Sequence, residues 1–100
     1  MRAILLLSAV LLMGSGTAYA GDVERGRALS LRWCVSCHVV APDATGGDAG
    51  PAFASLASRP GQTEQALRNW LAEPHPPMPD LGLAVTEFDD LASYIMSLKP

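Results

Sequence analysis

Residues 34–38 read Cys34-Val35-Ser36-Cys37-His38, and the fold follows from how these five residues are understood. Two cysteines separated by two residues and followed at once by histidine form the attachment spacing of a c-type haem. Each residue type has a task in that chemistry. The two thiols can add to the two vinyl groups of the porphyrin and become thioethers. The imidazole can then bind iron from one face. At a helix end, offsets of three and four residues put Cys34, Cys37 and His38 on one side. A redox dithiol, half of a zinc site and chance coincidence are the rival readings. The direct succession of thiol and imidazole favours haem.

On the N-terminal side, Arg2 precedes an apolar run from Ala3 to Met13 broken only by Ser8. Gly14, Ser15, Gly16 and Thr17 interrupt it, and Ala18-Tyr19-Ala20 is a small-x-small cleavage site. This pattern predicts a secretory signal peptide over residues 1–20, with cleavage before Gly21. A retained membrane anchor is the alternative, but a span needs about 20 apolar residues. Nothing later in the chain is apolar enough to cross a bilayer, so the mature protein is expected to be periplasmic, without stable membrane insertion.

Cleavage leaves residues 21–100 as one domain, too small for a large core of its own. Small exported domains usually add disulfides or a metal. Only two cysteines exist here, and a bridge between Cys34 and Cys37 would close a loop too short to stabilise much. A flat apolar cofactor at the centre of the core meets the need better. Size, predicted export and cysteine count therefore favour haem independently of the motif.

Charge narrows the partners. Residues 21–100 carry six Lys plus Arg against ten Asp plus Glu, and haem propionates would add further negative charge. Nucleic acid phosphates would repel such a surface. A basic or apolar docking patch on a redox partner suits it.

The pattern of apolar residues is helical, with no long alternating run to suggest sheet. It predicts an all-α fold with three main helices around the haem. The first covers Asp22 to Cys37, with Asp22 and Glu24 in its first turn and Gly26 inside it. The second covers Thr63 to Glu73, capped by Thr63 and stopped by Pro74, with Ala66, Leu67, Trp70 and Leu71 on one face. The third covers Thr86 to Leu98, capped by Thr86 with Asp89 three residues on. Its buried stripe is Phe88, Leu91, Ala92, Ile95 and Leu98. A short helical turn around residues 51–57 is a weaker expectation. Residues 73–80, Glu-Pro-His-Pro-Pro-Met-Pro-Asp, cannot be helical and are expected to form an extended strap.

The iron's sixth ligand has three candidates by side-chain chemistry: His75, Met78 and Met96. Met96 lies beside the stripe of the last helix and reads as packing. In an extended strap the α-carbons of His75 and Met78 stand about 9 Å apart, so one conformation presents only one of them. Met78, fixed between Pro77 and Pro79, is favoured. Ligation by His75 and an open position are the alternatives, and His75 is expected to be an exposed loop residue whose loss is nearly silent.

Over residues 21–100 the chain resembles the class I c-type cytochromes of the small bacterial type. Gly26, eight residues before Cys34, is similar to the glycine where that family's terminal helices cross. Leu91, Tyr94 and Ile95 resemble the C-terminal helix pattern. Gly50-Pro51 resembles the Gly-Pro whose proline carbonyl accepts the proximal histidine N–H, which implies that role for Pro51. Trp70-Leu71-Ala72-Glu73-Pro74 resembles the distal aromatic segment, implying that Trp70 lines the haem, and Met78-Pro79 resembles the sixth-ligand segment. Ser30 departs from the family, which often has an aromatic in the helix crossing. Phe53 stands where Leu is common, the strap is shorter than in mitochondrial members, and the lysine docking ring is absent, Lys99 being the single lysine.

His/Met ligation leaves no open iron position and raises the potential relative to bis-His ligation. These readings imply a monomeric one-electron carrier rather than an enzyme, with one covalent haem c and its iron as cofactor. Its expected partners are a quinol-oxidising complex or periplasmic dehydrogenase as donor and a terminal oxidase as acceptor. Two alternatives remain: a haem subunit of a periplasmic dehydrogenase complex, and a ligand-binding or peroxidase-like haem protein.

Overall fold

A computed structural model describes residues 21–100; the predicted signal peptide lies outside the described residues. The described residues form four helices: α1 (Val23–Trp33), α2 (Phe53–Ala57), α3 (Glu64–Ala72) and α4 (Val85–Ser97). The described residues contain no named strand, only isolated bridges between Val39 and Gly46 and between His75 and Met78. The observed fold is all-α.

Helix α1 begins where Asp22, in extended conformation, accepts the Arg25 N–H at 2.9 Å. Glu24 in the first turn and Arg32 in the last both complement the helix dipole. The helix then packs across α4, forming the most extensive contact between any two helices. Gly26 makes that approach possible: a Cβ there would run into the Asp90 carbonyl oxygen and stand 2.6 Å from the Tyr94 Cβ. Two ends of the chain are also tied directly, because the Asp22 N–H donates to the buried Asp90 carboxylate at 2.7 Å. Ser30 fills the crossing differently from an aromatic. It is fully buried and donates its hydroxyl to the Gly26 carbonyl at 2.7 Å, so its polar atom is satisfied within its own helix.

The last helix is capped two residues earlier than the Thr86 cap predicts. Ala84 is the N-cap, and its N–H donates to the Glu87 carboxylate at 2.9 Å. Glu87 at the third helical position can reach back to that N–H, whereas Asp89 lies beyond the first turn. Asp89 instead pairs with Arg68 of α3. The buried face of α4 is broader than the apolar stripe, running from Asp90 through Ile95. Phe88 and Leu98, expected on the stripe, pack only half-buried at its margin. Burying Leu91 and Ile95 contributes about 1.5–3 kcal/mol each.

Thr63 caps α3 as expected, its hydroxyl accepting the Ala66 N–H at 3.0 Å. Only Leu67 of the predicted face is buried; Leu71 is half-buried, and Ala66 and Trp70 are exposed. The weak expectation of a turn at 51–57 is met by α2, which sends Phe53 and Ala57, one turn apart, into the core.

Candidate functional site

Helix α1 stops at Trp33 rather than Cys37, and its ending shapes the motif. The Ser30 carbonyl accepts both the Cys34 N–H at 3.0 Å and the Val35 N–H at 3.1 Å, so the regular ladder ends there. The Cys34 carbonyl then accepts from Cys37 at 3.2 Å and His38 at 3.0 Å. The offsets of three and four are kept by this turn rather than by the helix. Cys34 is buried and Cys37 exposed, both as free thiols. Burial, with a smaller push from Cys37, raises the Cys34 thiol to about 11, so it stays protonated at neutral pH.

Residues 39–50 fold back onto the motif through the backbone. Val40 N–H donates to Thr45 at 2.8 Å, Gly47 N–H to Val35 at 2.9 Å, and Gly50 N–H to Cys37 at 2.7 Å. The turn within the loop is fixed by Asp43, whose carboxylate accepts the Thr45 N–H at 3.1 Å and also its hydroxyl. Those bonds hold the Asp43 carboxyl below its ordinary value. Gly50 lies against the His38 imidazole so closely that a Cβ would stand 2.8 Å from both ring nitrogens.

This backing puts the Pro51 carbonyl 2.6 Å from His38 Nδ1. A carbonyl only accepts, so Nδ1 carries the hydrogen, and in the neutral imidazole Nε2 keeps the lone pair. The ring is half-buried, with the Phe53 ring 5.4 Å away between centroids. Phe53 meets Tyr94 edge-on at 6.4 Å, and the Tyr94 hydroxyl donates to the Val40 carbonyl. Burial raises the Tyr94 phenol, favouring the protonated donor. Helix α4 thereby supports the segment immediately after the motif.

The strap differs from its expected extended form. Residues 75–78 make a turn: the Met78 N–H donates to the His75 carbonyl at 2.7 Å, and the Pro76–Pro77 bond is cis. The extended-strap separation of about 9 Å therefore does not apply, since the ends of such a turn lie within about 7 Å. His75 is half-buried rather than exposed, and its ring lies on the Trp70 indole with centroids 3.7 Å apart. Met78 is half-buried, and Met96 packs against the core as its position suggests. Trp70 is 58% exposed and borders a cavity of about 280 Å³ with Leu56, Leu67 and Arg59.

Three features escaped the sequence reading. The Trp70–His75 stack joins two residues read separately, and nothing in their spacing announces it. Asp90 enters the sequence reading only as one of ten acidic residues, although its place beside Leu91 in the buried stripe is a usable signal. The Tyr94 bond to Val40 could be anticipated in kind, because a phenol within an apolar stripe needs a hydrogen-bond partner.

The described residues contain no cluster of three His, Cys, Asp or Glu able to hold a bare metal ion. The residues suit haem: two thiols at the attachment spacing, an imidazole with a free Nε2, and apolar walls from Phe53, Leu56 and Leu67. What fold and site define together is a small helical protein presenting a dithiol and an oriented imidazole beside an apolar centre.

Comparison with known proteins agrees. The chain is similar to cytochrome c-552 of Bradyrhizobium diazoefficiens, with 45% identity over 101 aligned positions covering 100% of this chain and 96% of that protein. No family model and no solved structure matches the chain. A likeness of that extent shows the family, and the chain belongs to the small class I c-type cytochromes. Its cofactor is accordingly a covalently attached haem c with its iron, and its role is that of an electron carrier.

Proposed function

We propose that the protein is an exported, monomeric one-electron carrier whose haem is held by Cys34 and Cys37 and ligated by His38 and Met78. The observation that carries this reading is the His38–Pro51 hydrogen bond, which fixes one imidazole tautomer beside the two thiols. Bound haem supplies a reversible change of iron oxidation state; the chain's residues orient it and exclude water. Pro51 keeps the Nδ1 proton in place, leaving Nε2 as the donor atom. Phe53 and Leu67 supply an apolar surface in which charge transfer causes little solvent rearrangement. Met78 on the strap would supply a soft sulfur ligand favouring ferrous iron.

Among the described residues no helix is long and apolar enough to cross a membrane. The signal-like residues 1–20 support export to the periplasm, with processing before Gly21. There the carrier passes electrons from a quinol-oxidising complex or dehydrogenase to a terminal oxidase. The deciding experiment isolates the mature protein and records its N-terminal mass, its oxidised and reduced spectra, and haem retention under denaturing acid extraction. A retained haem, a sulfur-to-iron charge-transfer band and a start at Gly21 are expected. Extractable haem would refute attachment, an absent band would refute Met78 ligation, and purification as a stable complex with a dehydrogenase would make the protein a docked subunit.

A further inference from the structure

The strap has few means of holding its own shape. Pro74, Pro76, Pro77 and Pro79 have no N–H to donate, and the bond inside the turn is the one from Met78 to the His75 carbonyl. That bond fixes Met78 relative to His75 and fixes neither relative to the helices. The connection to a helix is supplied by a side chain. The His75 ring lies on the Trp70 indole at 3.7 Å between centroids, with planes inclined by 35°. Trp70 sits in the last turn of α3, and α3 is anchored on α4 by buried Leu67 and the Arg68–Asp89 pair. The same indole borders the cavity lined by Leu56 and Leu67.

From this geometry we propose that His75 is a positioning residue: its imidazole, stacked on Trp70, clamps the turn that presents Met78. The proposal rests on Met78 being the iron ligand. His75 itself does not touch iron; it acts through the turn. Loss of the ring leaves the turn intact but frees it to swing as a unit, so that sulfur leaves the iron more often. Losing an aromatic pair of this kind makes His75→Ala far from silent.

The test uses the haem-loaded protein. His75→Ala is compared with His75→Phe, which keeps a flat ring for the indole, and with Met78→Ala. Two readouts follow the strap: the temperature at which the sulfur-to-iron band disappears, and the rate at which ferrous protein binds carbon monoxide. A third, far-ultraviolet circular dichroism, follows the helices. His75→Ala is expected to raise the carbon monoxide rate by about threefold to tenfold and to lower the band-loss temperature while the helical melting temperature stays put. His75→Phe is expected to restore both strap readouts. A band that survives Met78→Ala overturns the ligand assignment and the clamp together. A band lost in Met78→Ala but indifferent to His75→Ala overturns the clamp alone. Helical melting that falls in step with band loss, or no rescue by Phe, also overturns the clamp.

Discussion

The motif segment and the proline strap are built by different means. Between Val35 and Phe53 the chain is stitched to itself through backbone groups, with Gly47, Gly50 and Phe53 all donating back to residues 35–39. Tyr94 then ties this segment to α4. Between Pro74 and Pro79, four prolines remove donors, leaving one turn bond and one ring stack. The proximal side has several interlocked bonds per functional side chain; the strap side has a single tether. The contrast teaches that the His38 side is rigid because its neighbours are glycine and backbone, while the Met78 side is conditional on side chains. Local opening should therefore concentrate at the strap.

The largest test removes the haem attachment itself. Cys34→Ala with Cys37→Ala is expected to abolish haem retention and leave a chain without a cooperative thermal transition, since the remaining apolar core is too small to fold alone. A double variant that melts cooperatively would show that the helices do not need the haem. Next, Gly50→Ala forces a Cβ into the His38 ring. Crowding of this kind costs about 1–3 kcal/mol, a fall of about 5–20 °C in Tm for a domain of this size. An unchanged Tm would mean that the proximal loop is softer than its bonding suggests.

Tyr94→Phe strands the buried Val40 carbonyl and is expected to cost about 1–2 kcal/mol by denaturant titration. Met78→Ala should change stability by less than about 1 kcal/mol. It should nevertheless abolish the sulfur-to-iron band, lower the reduction potential and admit carbon monoxide. If Met78→Ala destabilised the protein more than Gly50→Ala, the contrast between the two sides would be reversed. The smallest effect concerns docking. Acidic residues outnumber basic ones, so electron transfer to a basic partner should slow as salt shortens screening to about 10 Å at 0.1 M. A rate that rises with salt would indicate an acidic partner surface instead.

Much of the helical frame was legible because each element carries its own local signal. Thr63 before an amphipathic run, Pro74 after it, and Leu91 and Ile95 one turn apart in α4 define helices without tertiary information. Gly26 was legible through its resemblance to a family pattern, and the crossing it permits is present. Helix ends were less legible. Thr86 looks like a cap, yet Glu87 reaching back to Ala84 puts the cap two residues sooner. The motif alone marked Cys34, Cys37 and His38 as a candidate site. The strap was misread because four prolines say only that a segment is not helical. Whether it runs straight or turns back depends on what lies across from it, and Trp70 is that neighbour.

The bond from Asp22 to Asp90 joins residues 68 positions apart, and this sets an order of events in time. Among the described helices α1 is the first to be synthesised, but its principal partner is the last. Until α4 has emerged, the first helix has nothing to cross, and contacts of such long range form slowly because a large loop must close. Before that closure both thiols of residues 34–38 would be accessible, including the one that folding buries. The fold thus leaves an interval for attachment before closure, and a chain already carrying its haem has a nucleus on which its two ends can meet.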